Sequence, residues 1–130
     1  MARIVLEEKL PYPTDSVWAI IGNITRCDWV PAVDSISLTG DIRSFTMAGI
    51  GEVQEKIIAC DNKAKLLQYS AIKTPSNVEH HMATIQLTSQ GDSCSFSWTV
   101  EIKPDAYADS IEHAMGVSLD ALKQVLAKEN

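Results

Sequence analysis

The segment SCSFSWTVEIKPDAYADSIEHAMGVSLDALKQVLAK, residues 93–128, decides the fold. Its first ten residues alternate, which is typical of a β-strand with one buried and one solvated face. From Asp105 to Lys128, apolar residues recur at spacings of three and four and predict a long amphipathic helix. The concave face of a sheet is the natural place for the helix to bury its apolar side. The apolar positions are Cys94, Phe96, Trp98, Val100 and Ile102, then Ile111, Met115, Leu119, Leu122 and Leu126.

A strand-rich stretch precedes this segment. Turn-forming residues such as Thr39-Gly40-Asp41 and Gln90-Gly91-Asp92 separate its apolar runs. Short loops between successive strands predict an antiparallel meander. The predicted strands are 35–38, 42–47, 52–60, 66–72, 78–88 and 93–102.

The amino-terminal part adds one strand and two short helices. Ala2–Leu10 alternates like a strand. Pro13 then opens a helix with Asp15 near the positive end of its dipole. A second short helix is predicted from about Ile24 to Ala32, with Trp29 and Val33 pointing inward. The order is strand, two helices, six strands, helix, an α+β class in a single domain over residues 1–130.

Composition and charge restrict the function. The chain has 130 residues, 45% of them apolar, and a net charge of -6. Nucleic-acid binding needs a basic stripe that is missing here, so no nucleic-acid partner is expected. Three cysteines without a CxxC motif argue against a metal site or a redox cofactor. Charged residues interrupt every apolar run, so we expect no membrane insertion and a cytoplasmic protein, either monomeric or homodimeric.

Strand parity identifies polar residues on the inner face. A hairpin centred near Gly49 places Arg43 opposite Glu55, on the same face as Phe45. These two charges would form an ion pair at a cavity wall, or else an exposed pair at the sheet edge. A hairpin with Gln90-Gly91 as its loop pairs His81 with Val100 and also turns Glu79 inward.

A few polar groups in an apolar concavity are how small-molecule sites are built. His81 with Glu79 or Tyr69 could transfer protons, as general acid or base. Each residue also has a structural interpretation, as an ion pair, a hydrogen-bonded core histidine or core packing. The expected ligand-binding residues are Arg43, Phe45, Glu55, Tyr69, His81, Ile85, Phe96, Trp98, Ile111 and Met115.

Several short motifs follow one another in a recognisable order: Pro13–Trp18 (P-x-x-x-V-W), Trp29–Pro31 (W-x-P), Gly40–Arg43 (G-x-x-R), Glu55–Ile57 with Asp61 and Leu67–Tyr69, and Trp98. Together they resemble the START/Bet v 1-like (SRPBCC) superfamily, in particular its polyketide cyclase/dehydrase and lipid-transport branch. The resemblance implies a helix-grip fold, in which a curved antiparallel β-sheet wraps around a long carboxy-terminal helix and encloses a cavity.

The resemblance does not choose among reactions, because members of this superfamily carry lipids, sense hormones or catalyse cyclisation and dehydration. Three hypotheses follow. The protein binds an apolar or aromatic molecule as a carrier or sensor, with Arg43 available to hold a ligand carboxylate. Alternatively, it is a cyclase, dehydratase or isomerase that uses His81. In the third, it is a partner-binding protein whose ligand reshapes the loops 48–51 and 74–77 and so controls the binding of the partner.

Overall fold

A computed structural model describes all 130 residues and has one seven-stranded antiparallel sheet. The sheet order is β1-β7-β6-β5-β4-β3-β2. The strands are β1 (Ala2–Leu10), β2 (Ser37–Thr39), β3 (Ile42–Met47), β4 (Gly51–Asp61), β5 (Leu66–Lys73), β6 (His80–Gln90) and β7 (Ser93–Lys103), and the helices are α1 (Thr14–Ile21) and α2 (Ala108–Glu129).

The α+β class and the helix-grip arrangement are confirmed. The curved sheet packs its apolar face against α2, and both contribute to a single core. A 3₁₀ turn at Asp105–Tyr107 leads into α2, so this α-helix begins three residues later than predicted. Neither helix combines the length and the hydrophobicity needed to cross a membrane.

The second short helix, predicted from about Ile24 to Ala32, is absent. Its place is taken by successive turns, with i to i−3 hydrogen bonds such as Val30 N–H to the Cys27 carbonyl at 3.0 Å. Asp28 accepts hydrogen bonds from the Arg26 side chain, and Pro31 has no N–H to donate. The prediction failed because short polar residues and proline outweighed the apolar spacing.

The β3–β4 register is as predicted, with Arg43 opposite Glu55. The β6–β7 register differs by two residues, because the loop is Gly91-Asp92 rather than Gln90-Gly91. Gly91 has φ of 72°, as a type II′ turn requires at its first central residue. His81 therefore lies opposite Ile102, not Val100. A shift of two residues preserves the face of every side chain on the strand.

The β5–β6 ladder is incomplete. Backbone pairing runs only from Leu66 to Tyr69, although β5 continues to Lys73. Beyond Tyr69, two side-chain bonds join the strands. The Ser70 hydroxyl donates to the His81 carbonyl, and the Ala71 N–H donates to His81 Nδ1 at 2.9 Å. His81 thus substitutes for part of the missing ladder.

Candidate functional site

A cavity of about 180 Å³ lies between the inner face of the sheet, α2 and the connection between α1 and β2. Two of its lining residues, Asn23 and Ala114, are exposed, so the mouth of the cavity lies beside them. Most of the lining is apolar, with a small polar cluster on β3, β4, β5 and β6. The apolar lining residues are Ile21, Trp29, Val30, Val33, Ile36, Phe45, Met47, Tyr69, Trp98, Val100, Ile111, Ala114 and Met115.

Arg43 and Glu55 form the charged part of the cluster. Arg43 Nε donates to Glu55 Oε1 at 2.7 Å, and the two side chains are only 11% and 13% exposed. Arg43 Nη1 also donates to the Ile24 carbonyl at 3.1 Å, and the guanidinium lies 4.7 Å from the centre of the Tyr69 ring. Arg43 therefore ties the α1–β2 connection to the sheet and is a partly buried cation with several partners.

Burial raises the pKa of Glu55 above its ordinary value, although the charge and hydrogen bond of Arg43 oppose this shift. A protonated Glu55 would leave Arg43 as an unpaired buried cation, which is costly. We therefore regard Glu55 as ionised at neutral pH, with a stronger affinity for protons than an ordinary carboxylate has.

Tyr69 contributes a hydroxyl to the same wall. Burial raises its pKa beyond the ordinary range, and the nearby Glu55 carboxylate adds to the shift, so the phenol stays protonated. The Trp98 side chain opposes this shift and lowers the pKa of Tyr69, although its buried Nε1–H has no hydrogen-bond partner. The Tyr69 side chain lines the cavity.

His81 is a lining residue whose hydrogen bond fixes its tautomer. Because the Ala71 N–H can only donate, His81 Nδ1 must accept, and the ring proton lies on Nε2. Burial lowers the His81 pKa to about 4, and the neighbouring His80 adds to the shift. At neutral pH the ring is uncharged, and its one acceptor nitrogen, Nδ1, already accepts the hydrogen bond from the Ala71 N–H.

Eight of the ten expected ligand-binding residues line the cavity. Ile85 and Phe96 do not, because they are fully buried in the core beside it. Glu79 also differs from expectation: it lies just before β6, is exposed and does not reach the cavity. There β6 has not yet begun, so strand parity does not apply. The eight are Arg43, Phe45, Glu55, Tyr69, His81, Trp98, Ile111 and Met115.

Trp29 and Val33 were expected to point inward from a helix and were not among the expected ligand-binding residues. Both are buried in the α1–β2 connection and line the cavity. Trp29 packs against Trp98 with ring centres 5.6 Å apart. Ser118 of α2 is a further missed lining residue. It lies three residues after Met115, and this spacing on an amphipathic helix was the available signal.

The two loops expected to gate the pocket do not line it. They contact each other instead, since a Cβ on Gly51 would lie 2.9 Å from Pro75 Cγ. Gly51 has φ of 125°, a conformation that glycine adopts readily. The mouth beside Ala114 is formed by other elements, α2 and the α1–β2 connection.

Residues 1–127 match the family described as polyketide cyclase / dehydrase and lipid transport. No curated protein matches the chain in sequence. Among solved structures, an uncharacterized protein from Bacillus thuringiensis is 23% identical, with 97% of this chain and 99% of that chain covered and a TM-score of 0.87. XoxI from Bacillus cereus is 22% identical, covering 98% and 96%, with a TM-score of 0.88.

Norcoclaurine synthase from Thalictrum flavum is a more distant structural neighbour. Its structure with dopamine and hydroxybenzaldehyde is 21% identical, covers 99% of this chain and 88% of that chain, and has a TM-score of 0.72. At this identity the likeness shows the shared fold alone.

Proposed function

The chain belongs to the polyketide cyclase/dehydrase and lipid-transport family, and we propose that it binds one small apolar or aromatic molecule in the cavity, as a carrier or sensor. The observation that carries the proposal is the cavity itself, an apolar space against α2 with polar groups on one wall. Close-packed interiors rarely leave such a space without a function.

The size of the cavity limits the ligand. Drug-sized ligands occupy pockets of roughly 300–1,000 Å³, whereas an engineered protein cavity of about 150 Å³ holds benzene. A volume of about 180 Å³ therefore favours a molecule with one ring or a short chain. Norcoclaurine synthase, which shares the fold, has been crystallised with dopamine and hydroxybenzaldehyde, each of which has one ring.

Native mass spectrometry of the protein purified from its source tests the proposal, with identification of any compound released on denaturation. Ser118→Phe should place a ring in the cavity and abolish binding without loss of thermal stability. Ser110→Phe, at an exposed position of the same helix, is the matched control and should bind normally. Equal binding by both variants would show that the ligand lies elsewhere.

A second candidate function is acid–base catalysis, and Glu55 is the observation that favours it. A buried carboxylate with a raised pKa, facing an apolar cavity, is suited to take a proton from carbon. In an isomerase or cyclase reaction, Glu55 would remove a proton next to a ligand carbonyl. The electron pair would move to the carbonyl oxygen, where the Tyr69 hydroxyl could donate a hydrogen bond.

His81, the general acid or base expected from the sequence, fits this reaction better as a hydrogen-bond donor through Nε2, since Nδ1 is occupied. Deuterium exchange of acetophenone in D₂O tests the candidate reaction. Glu55→Gln should abolish any acceleration, whereas His81→Gln should only weaken it. Loss of exchange in His81→Gln alone would restore His81 as the base, and no acceleration by the native protein would exclude this probe chemistry.

A further inference from the structure

We infer that the cavity selects an uncharged ligand with a polar substituent over the corresponding carboxylate, and that Glu55 sets this selection. The inference rests on the proposed binding function and specifies its ligand class. It replaces the sequence-based expectation that Arg43 would hold a ligand carboxylate.

The first step concerns the cations of the cavity. Arg43 is paired with Glu55 at 2.7 Å, and Arg26, the other lining cation, is paired with Asp28 and Glu129 at 2.8 Å each. His81 is uncharged at neutral pH. Each positive group near the ligand space is therefore already matched by a carboxylate.

The second step concerns an entering anion. Arg43 uses Nε for Glu55 and Nη1 for the Ile24 carbonyl, so a ligand carboxylate would bind through the remaining Nη2. Two carboxylates would then share one partly buried cation. Like charges at such a site repel, and one of the two must take up a proton. An uncharged ligand causes no such conflict.

The third step concerns the atoms that remain free. Glu55 uses Oε1 for Arg43, which leaves Oε2 available to a ligand. The Tyr69 side chain lines the same wall and offers its hydroxyl. A neutral group that donates to Glu55 and accepts from Tyr69 satisfies both, whereas a purely apolar ring satisfies neither.

Three ring compounds of similar size test the inference at neutral pH: benzamide, benzoate and toluene. Binding is followed by isothermal titration calorimetry or by the fluorescence of the three tryptophans, two of which, Trp29 and Trp98, line the cavity. We expect benzamide to bind at least three-fold more tightly than toluene, and benzoate to bind at least ten-fold more weakly than benzamide. Benzoate binding as tightly as benzamide would overturn the inference, as would equal binding of benzamide and toluene.

Two variants locate the selection. Glu55→Gln frees Arg43 and should narrow or reverse the preference against benzoate, while Tyr69→Phe, which retains the ring, should remove most of the advantage of benzamide over toluene. If Glu55→Gln does not fold, the native-protein comparison and Tyr69→Phe still decide the matter. Failure of all three compounds to bind would instead count against the proposed function, a result distinct from binding without selection.

Discussion

Replacement of Arg43 should destabilise the protein, because its buried carboxylate partner, Glu55, is left without a counter-ion. Arg43→Met breaks a pair whose members are only 11% and 13% exposed and leaves Glu55 without its 2.7 Å donor. Breaking one side of a buried pair typically costs about 3–5 kcal/mol. The variant also loses the hydrogen bond to the Ile24 carbonyl, worth about 1 kcal/mol. Together these contributions predict a loss of about 4–6 kcal/mol of stability at neutral pH.

The loss should depend on pH in a defined direction. Arg43 normally opposes the raised pKa of Glu55, so the pKa of Glu55 rises further in the variant. A group whose pKa is raised on folding contributes stability below its unfolded pKa and loses it as pH rises through the folded value. Each pKa unit corresponds to about 1.4 kcal/mol of stability. Lowering the pH from 7 to 5 should therefore restore stability to Arg43→Met, by at most about 3 kcal/mol over these two pH units.

Urea unfolding at both pH values measures these quantities, and the double variant Arg43→Met/Glu55→Met supplies the control. Replacing both charges with apolar side chains is often nearly neutral, so the double variant should recover most of the loss and lack the additional pH dependence. A loss in Arg43→Met that is the same at pH 7 and pH 5, relative to the double variant, would refute a buried charged Glu55.

Two further predictions concern packing and pH. Gly22→Ala should cost about 1–3 kcal/mol, because the new Cβ would lie 2.5 Å from the Trp18 indole, whereas Gly116→Ala meets no atom within 4 Å and should stabilise α2 by about 0.5–1 kcal/mol. Thermal unfolding distinguishes them, and equal effects would contradict the close Trp18 contact. His81 binds its proton near pH 6.5 in the unfolded chain but near 4 when folded. As the pH falls, the unfolded chain therefore binds this proton before the folded protein does. The free energy of unfolding of the native protein should fall by about 3 kcal/mol between these two pH values. His81→Gln should lack this contribution in pH-dependent urea unfolding, and an unchanged pH profile would contradict the buried neutral histidine.

The fold could be predicted because its signals are local and periodic. The alternation around Trp98 and the spacing of Met115 and Leu122 each fixed one face of one element. The alternation of side chains along the strands was enough to place Arg43, Glu55 and His81 on the inner face. The two-residue error in the β6–β7 register did not change this, because a shift of two keeps each side chain on its face.

The site was less predictable where the chain has no repeating pattern of apolar residues. The connection after Ile21 follows hydrogen bonds of individual turns, so its contribution to the lining was assigned to a helix that does not exist. Glu79 lies outside the regular strand, is exposed and does not line the cavity. The occupied lone pair of His81 depends on a break in the β5–β6 ladder, for which the sequence carried no visible signal.

The most direct test of the cavity as a binding site is a titration of the ¹⁵N-labelled protein with toluene, followed by amide chemical shifts. Saturable shifts that cluster on lining residues such as Trp98, Met115 and Val33, and that disappear in Ser118→Phe, are the predicted result. Shifts that are absent, or that persist unchanged in Ser118→Phe, would contradict the account.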